Sequence, residues 1–411
     1  MPIRPILVLN SGSSSIKFSM WEASGDQRIK LLEGEIEGIG AGEGSNAEFW
    51  LKSWMNGSDG ARLVDESLQL PGPEAAFERI SKALSELSFP HPVAIGHRMV
   101  CGGPTVIENQ IITPVLIEEM ERYTAFAPLH SPSEIYLMRQ AIRLYPDVPN
   151  FVCLDSWFHR NLPAVTRHLP IPDEYAAMGL RRFGAHGLSY ESIVAHLEPH
   201  VSPRLIVAHL GNGASVCAIR EGKSIDTSMG LTPTGGIISG SRTGDLDPGV
   251  LLFLLRKLAD EEKDIDKAAD ALEAIVNKKS GLIGLSKLTN DMRKLRQAIA
   301  DGNAAARLAV DEFVYVLRKY IGGYIAVLGG LDMLVFTGGI GENDSATRAE
   351  VCLGLEGLGI VLDHDRNQTR GDARISSDNS SVAVCVIPPA EDLMIVNHVC
   401  RLQAQNLGRK T

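Results

Sequence analysis

Two stretches some 200 residues apart share one plan. LVLNSGSSSIKF (residues 7–18) and LIVAHLGNGASVCAI (residues 205–219) each run from an apolar strand, through a loop of Gly, Ser and Asn, into a second strand of alternating polarity. An apolar run, a polar loop and an alternating run read most naturally as strand, tight loop, strand. A chain carrying the pattern twice is constrained to place two similar hairpins, and it points to two related halves. At 411 residues it is long enough for two cores. Helix signals alternate with short β-rich runs (93–96, 150–154, 204–209, 215–219, 332–337 and 382–387), so the class is α/β.

Helix starts are legible from their caps. Thr113-Pro114 and Asp247-Pro248 each put Pro at a first helical position, and Ser131 to Glu134 reads as a capping box. Further helices are expected at 74–88, 266–279, 286–301, 303–328 and 391–406, while 36–62 reads as an irregular, Gly-rich insertion and 366–381 as loop. A net charge of −10 argues against nucleic acid or an anionic membrane as partner, but not against a phosphate gripped by a few local arginines. No signal segment opens the sequence and no apolar run is long enough to span a bilayer. The six cysteines show no CxxC pair, so they read as reduced thiols of a cytoplasmic protein.

Four loops could cradle an anion through backbone N–H groups: 10–15, 210–215, 234–244 and 337–343. None is a Walker loop or a dinucleotide fingerprint: the Gly-Lys-Ser at 222–224 has Cys217 where the first Gly should stand, and Gly339-x-Gly341 is followed by Asp344. A single such loop is more simply a polar turn; four in one chain, two of them in matching hairpins, favour phosphate.

These stretches resemble the acetate kinases. The resemblance rests on NSGSSSIK (10–17), GHRMVCGG (96–103), APLH (127–130), DSWFH (155–159), RRFGAHG (181–187), HLGNGAS (209–215), SRTGDLDPG (241–249), DMR (291–293), FTGGIGEN (336–343) and EDL (391–393), in order along nearly the whole chain. It implies two duplicated RNase H-like (actin-like ATPase) domains with an active-site cleft between them. Their expected bounds are 1–154 plus 388–411 for the first and 155–387 for a nucleotide-binding and dimerisation domain. It implies reversible, Mg²⁺-dependent phosphoryl transfer from ATP to acetate (Mn²⁺ as a substitute metal), by direct in-line attack of the carboxylate, in a homodimer.

That chemistry needs no general base, because a carboxylate with a pKa of about 4 is already ionised at neutral pH. It needs two anions brought together and their charge cancelled. By resemblance Arg98 and Arg242 do this, as guanidinium forks that lysine cannot imitate; His186 donates to the transferring phosphoryl group and Asp155 acts at the metal and nucleophile end. Asn10 and Glu391 are the metal residues. Lys17, His209, Leu210, Gly211, Asn212 and Gly213 fall to ATP, with Asp291, Met292, Arg293 and Gly339, Ile340, Gly341, Glu342, Asn343 around the nucleoside. Lys17 itself alternates as a strand residue, and Asp291 and Arg293 read equally well as charges on a helix face. Ser11 to Ser15 would supply donors, and Asp245 would orient Arg242.

The acyl pocket implied is Arg98, Val100, Leu129, Pro233, Ala185 and Trp157. Here the sequence departs from the family: Ala185 stands for a Phe, Trp157 for an Ala, Ser131 for an Asn and Asp392 for a Glu. Loss of one ring and gain of an indole could conserve volume, or reshape the pocket for propionate or butyrate. A nucleotide-driven binding module of the heat-shock or actin kind is the reading from a different class; it would leave Arg98 without a use.

Overall fold

A computed structural model describes residues 4–12, 15–40, 46–55 and 60–408. The chain divides into two compact units, Met1–Trp157 joined by Ala390–Thr411, and Phe158–Pro389.

The first unit is built on a sheet of β1 (Pro5–Ser11), β2 (Ser15–Ser24), β3 (Gln27–Glu37), β4 (Ala47–Ser53), β5 (Ala61–Leu68), β6 (Ala94–Met99), β7 (Gln110–Ile111) and β8 (Asn150–Leu154). Its order is β5-β4-β3-β2-β1-β6-β8-β7. β1, β2 and β3 form an antiparallel meander, and β6 and β8 add on parallel to β1. The second sheet contains β9 (Arg204–Leu210), β10 (Ala214–Arg220), β11 (Lys223–Thr227), β12 (Met333–Thr337), β13 (Ala373–Arg374) and β14 (Ala383–Val386), in the order β11-β10-β9-β12-β14-β13. Number the strands of each core by appearance and both read 3-2-1-4-5: a hairpin-linked trio, then two parallel strands reached by crossovers. The duplication expected from the two loops is therefore present at the level of topology, and each unit is RNase H-like.

Strand pleat sets which side chains meet. In β9, Ile206, Ala208 and Leu210 face a core completed by Phe313, Leu317 and Ile321 of the helix Ala304–Leu328, while Leu205 and Val207 face Tyr190, Ile193 and Val194 of the helix Gly187–Leu197. His209 follows Leu205 and Val207 onto that second face. In the first unit, Leu7 and Leu9 pack with Phe77 and Ile80 of the helix Pro73–Glu86. The opposite face takes the C-terminal helix Glu391–Gly408. Gly96 makes this possible: a Cβ there would lie 2.4 Å from Ile395, so only glycine lets the helix come so close to β6.

Several expectations are corrected, among them the single helix over 286–301, which is instead the end of Gly281–Ser286 and the separate helix Met292–Ala300. The 36–62 stretch is not merely an irregular insertion, because β4 and β5 extend the first sheet beyond β3 with alternating buried and exposed residues in β4; its Gly-rich 41–45 and 56–59 lie outside the described residues. The Ser131 capping box does not form. The helix Ser131–Leu144 has His130 at its N-cap with no side-chain cap bond, and the buried Ser131 hydroxyl has no hydrogen-bond partner. Within the 366–381 run, β13 pairs with β14. The caps at Thr113 and Asp247 form, each accepting from a backbone N–H of the first turn. Among the described residues, no helix is long and apolar enough to cross a membrane.

Candidate active site

In the first unit the site is organised by Arg98, near the end of β6. Its Nε and Nη2 donate to one oxygen of Asp155 at 3.2 and 2.8 Å, and its Nη1 donates to Glu391 at 3.0 Å. Asp155 is fully buried where β8 gives way to a short 3₁₀ turn, and Glu391 begins the C-terminal helix. Burial works against the charge on Arg98, but Asp155 and Glu391 outweigh it and hold the guanidinium firmly protonated. Val8 of β1 lies opposite Gly96 in parallel register. The pleat thus carries Asn10 and Arg98 onto the sheet face that the C-terminal helix covers.

Glu134, read from sequence as part of a capping box, is the residue missed here. It is buried, and both its oxygens accept from Val100 N–H at 3.2 and 3.3 Å. Burial pushes its carboxyl up to about 8, against the pull of Arg98. Asp392, which stands where the family has Glu, accepts from Ser19 Oγ at 2.6 Å, which in turn accepts from Trp21 Nε1 at 2.9 Å, anchoring the first turn of the helix that carries Glu391.

Of the pocket candidates in this unit, Val100 is buried and Leu129 half-buried. Trp157 donates through Nε1 to Glu108 at 2.9 Å, and its ring lies edge-on to His398 and under Arg401. Lys17, opposite Asn10 in β2, is largely exposed and pairs with Glu35 at 3.7 Å. Ser11 is buried and Ser15 opens β2; Ser13 and Ser14 lie outside the described residues.

In the second unit the hairpin loop Gly211 to Gly213 is tied to the segment carrying Arg242. Gly240 N–H donates to Asn212 O at 2.8 Å, and Ala214 N–H to Ser239 Oγ at 3.0 Å. A side chain at Gly213 would sit 3.3 Å from His186 Nε2 and 3.4 Å from Arg242 Nη1. Two cationic or N–H donor groups therefore converge beside a loop of backbone amides. Arg242 also donates to Pro233 O at 3.4 Å, and burial depresses its pKa. Asp245 accepts from Gly236 N–H and from the Tyr320 hydroxyl. His186 has φ of 55°, at the N-terminus of the helix Gly187–Leu197, and Ala185 before it is buried with its carbonyl 3.1 Å from His159 Nε2.

The run 338–343 is a short helix after β12, not an open loop. Gly338 has φ of +77°, and a Cβ there would come within 2.9 Å of Leu210 O, which seats the helix directly against the hairpin strand. Gly339 and Asn343 are exposed, Ile340 and Glu342 half-buried and Gly341 buried. Arg348, absent from the sequence reading, is fully buried and donates to Gly341 O and Glu342 O at 2.8 and 2.9 Å, occupying the helix C-terminus as a cation should. Asp291 caps the helix Met292–Ala300 and pairs with the exposed Arg293 at 2.7 Å, while Met292 is buried in the core. Asp291 therefore stands at the helix start rather than on its face.

Two RNase H-like units, one carrying a carboxylate-clamped arginine and the other a glycine hairpin flanked by His and Arg donors, define an actin-like phosphotransferase. The chain belongs to the acetokinase family, whose model matches residues 5–397. It is therefore a kinase with a carboxyl group as acceptor and ATP as co-substrate. It is 38% identical over 410 residues to acetate kinase of Lawsonia intracellularis, covering 97% of this chain and 98% of that one. It is 37% identical over 415 residues to acetate kinase of Clostridium botulinum strain Loch Maree, covering 97% and 100%. Among solved structures it resembles Porphyromonas gingivalis acetate kinase (TM-score 0.82, 34% identity, 97% and 100% coverage). It also resembles a propionate kinase from Francisella tularensis (TM-score 0.85, 33% identity, 96% and 99% coverage).

Proposed function

We propose that the protein transfers the γ-phosphoryl group of ATP to acetate, reversibly, giving acetyl phosphate and ADP. Beyond family membership, the observation that carries this is the convergence of His186 Nε2 and Arg242 Nη1 beside Gly213. In this reading a carboxylate oxygen attacks the γ-phosphorus as the bond to the β-phosphate oxygen breaks. No proton moves, because the nucleophile is already ionised and ADP leaves as an anion.

Arg98 receives the acyl carboxylate, with Asp155 and Glu391 fixing the fork and Val100, Leu129, Pro233, Ala185 and Trp157 as pocket candidates. His186 and Arg242 meet charge on the three equatorial oxygens. His209 to Gly213 hold the β- and γ-phosphates, Asp291 to Arg293 and Gly339 to Asn343 flank the adenosine, and Lys17 stands at the margin of the ATP set. For Arg293 to reach a nucleoside it must release Asp291, which an exposed pair does at little cost.

Asn10 and Glu391 offer one amide and one carboxylate oxygen, hard donors that suit Mg²⁺, which takes few protein ligands and completes its shell with water and phosphate. No group of three or more His, Cys, Asp or Glu side chains poised for a metal occurs among the described residues. When bound, the ion would neutralise phosphate charge. Self-association through the second unit is part of the proposal. It is supported by the helix Pro248–Glu262, none of whose residues is buried although it carries Leu252 and Phe253, 54% and 67% exposed. A cytoplasmic location is part of the same reading.

Release of ADP on adding acetate, with hydroxylamine trapping of the acyl phosphate, tests the assignment; ATP turnover indifferent to every carboxylate would refute it. A second reading, propionate kinase, is favoured by Ala185 and by the Francisella likeness. One methylene in an apolar pocket is worth about 1–3 kcal/mol, so kcat/KM for acetate, propionate and butyrate decides: a tenfold preference for the longer acids would make the second reading correct.

A further inference from the structure

His186 and His209 stack, with ring centroids 4.2 Å apart and planes inclined by 26°. Each turns its Nδ1 toward a buried hydroxyl. His186 Nδ1 lies 2.8 Å from Ser215 Oγ, and Ser215 Oγ is also in contact with the Tyr190 hydroxyl. His209 Nδ1 lies 2.8 Å from Ser189 Oγ. Ser189, Tyr190 and Ser215 are fully buried. Their arrangement is imposed by the fold: Ser215 sits opposite His209 across the β9–β10 hairpin, and Ser189 and Tyr190 are consecutive on the helix packed over that face. The Nε2 atoms lie at the loop, His186 Nε2 by Gly213 and His209 Nε2 3.9 Å from where a side chain on Gly211 would begin.

Proton counting orients the first chain. Ser215 has one proton and two neighbours, Tyr190 and His186. A phenol is a stronger donor than an alkyl alcohol, so Tyr190 donates to Ser215 and Ser215 donates to His186 Nδ1. The ring proton of a neutral His186 is then at Nε2. The same sense of donation from Ser189 to His209 Nδ1 would give both rings an N–H at Nε2, toward the glycine loop.

We propose that Tyr190, Ser215 and Ser189 are positioning residues that hold His186 and His209 as neutral Nε2–H tautomers, a matched pair of donors for phosphoryl oxygens. The last clause rests on the phosphotransferase reading; the tautomer assignment does not. The hydrogen bond at one ring nitrogen decides what the other can do, so these hydroxyls decide whether the pair can serve an anion at all.

The experiment is a two-bond ¹H–¹⁵N correlation spectrum of full-length, ¹⁵N-histidine-labelled protein near neutral pH without nucleotide. His186→Asn and His209→Asn identify the two signals. The expected result is a pyridine-like Nδ1 and a pyrrole-like Nε2 for both rings. Ser215→Ala should convert His186 to a mixture of tautomers and lower kcat roughly tenfold, with KM for ATP little changed. Tyr190→Phe, which removes one oxygen, should shift His186 in the same direction by less, and Ser189→Ala should act on His209 alone. An Nδ1–H tautomer or a doubly protonated ring in the wild type would overturn the proposal. So would a His186 signal unmoved by Ser215→Ala or, should that variant not fold, by Tyr190→Phe. Correct tautomers without carboxylate-dependent ADP release would fault only the reaction.

Discussion

At the residue scale, the first unit concentrates three carboxyl groups on one guanidinium, and only two of them touch it. Asp155 and Glu391 orient Arg98, while Glu134 sits behind at Val100. The folded protein retains the Glu134 proton up to about pH 8, whereas an ordinary glutamate releases it near 4.5. Between those values the native state binds one more proton than the unfolded chain, so stability falls as pH rises, by up to about 1.4 kcal/mol per unit. Glu134→Gln cannot titrate. Its melting temperature is expected to match the wild type near the lower bound and to gain on it through the window, reaching its full advantage above the upper one; thermal unfolding across pH checks this. Arg242→Ala should cut kcat by about 10³, as loss of other phosphoryl-transfer arginines does. Steady-state kinetics showing near-normal turnover would remove it from the site. Arg98→Lys keeps the charge but loses the fork, so KM for acetate should rise well before the KM for ATP changes.

Elements explain why some of this was legible in sequence and some was not. Hairpins announce themselves by period and loop composition, and both were found where expected. Helices that begin at Pro or Asp were found because their caps are local. Glu134 was misread for the same reason: Ser131-x-x-Glu134 satisfies the local rule for a capping box, but Val100, distant in sequence, offers the carboxyl a buried N–H instead. Arg348 carried no signal, since its partners are the Asn367 side-chain amide oxygen and backbone carbonyls at 341, 342, 367 and 369, positions that no spacing rule connects. Tyr190 and Ser215 stood inside or beside quoted motifs, yet their contact crosses from helix to strand. Arg348→Lys is expected to lower the melting temperature and weaken ATP binding together, because three donors on a flexible stem cannot replace a planar fork that serves the helix 338–343 and the 367–369 turn at once. Calorimetric melting and ATP titration on the same preparation read both effects.

At the scale of the whole molecule, the exposed apolar helix Pro248–Glu262 should be covered in solution. Sedimentation is expected to give a dimer, and Leu252→Ser with Phe253→Ser to give monomers; an unchanged mass would move the contact elsewhere. Chain order adds a different kind of consequence. The second unit is one continuous segment, Phe158–Pro389, whereas the first is closed only by the returning Ala390–Thr411. During synthesis the second unit can be complete while the first still lacks the helix that covers β6. Until then Gly96 and its strand face water, and Arg98 has Asp155 but not Glu391. The helix that begins at Glu391 is thus made after both sheets, and a chain cut short before Glu391 leaves Arg98 without one of its two carboxylate partners while the second unit is already whole.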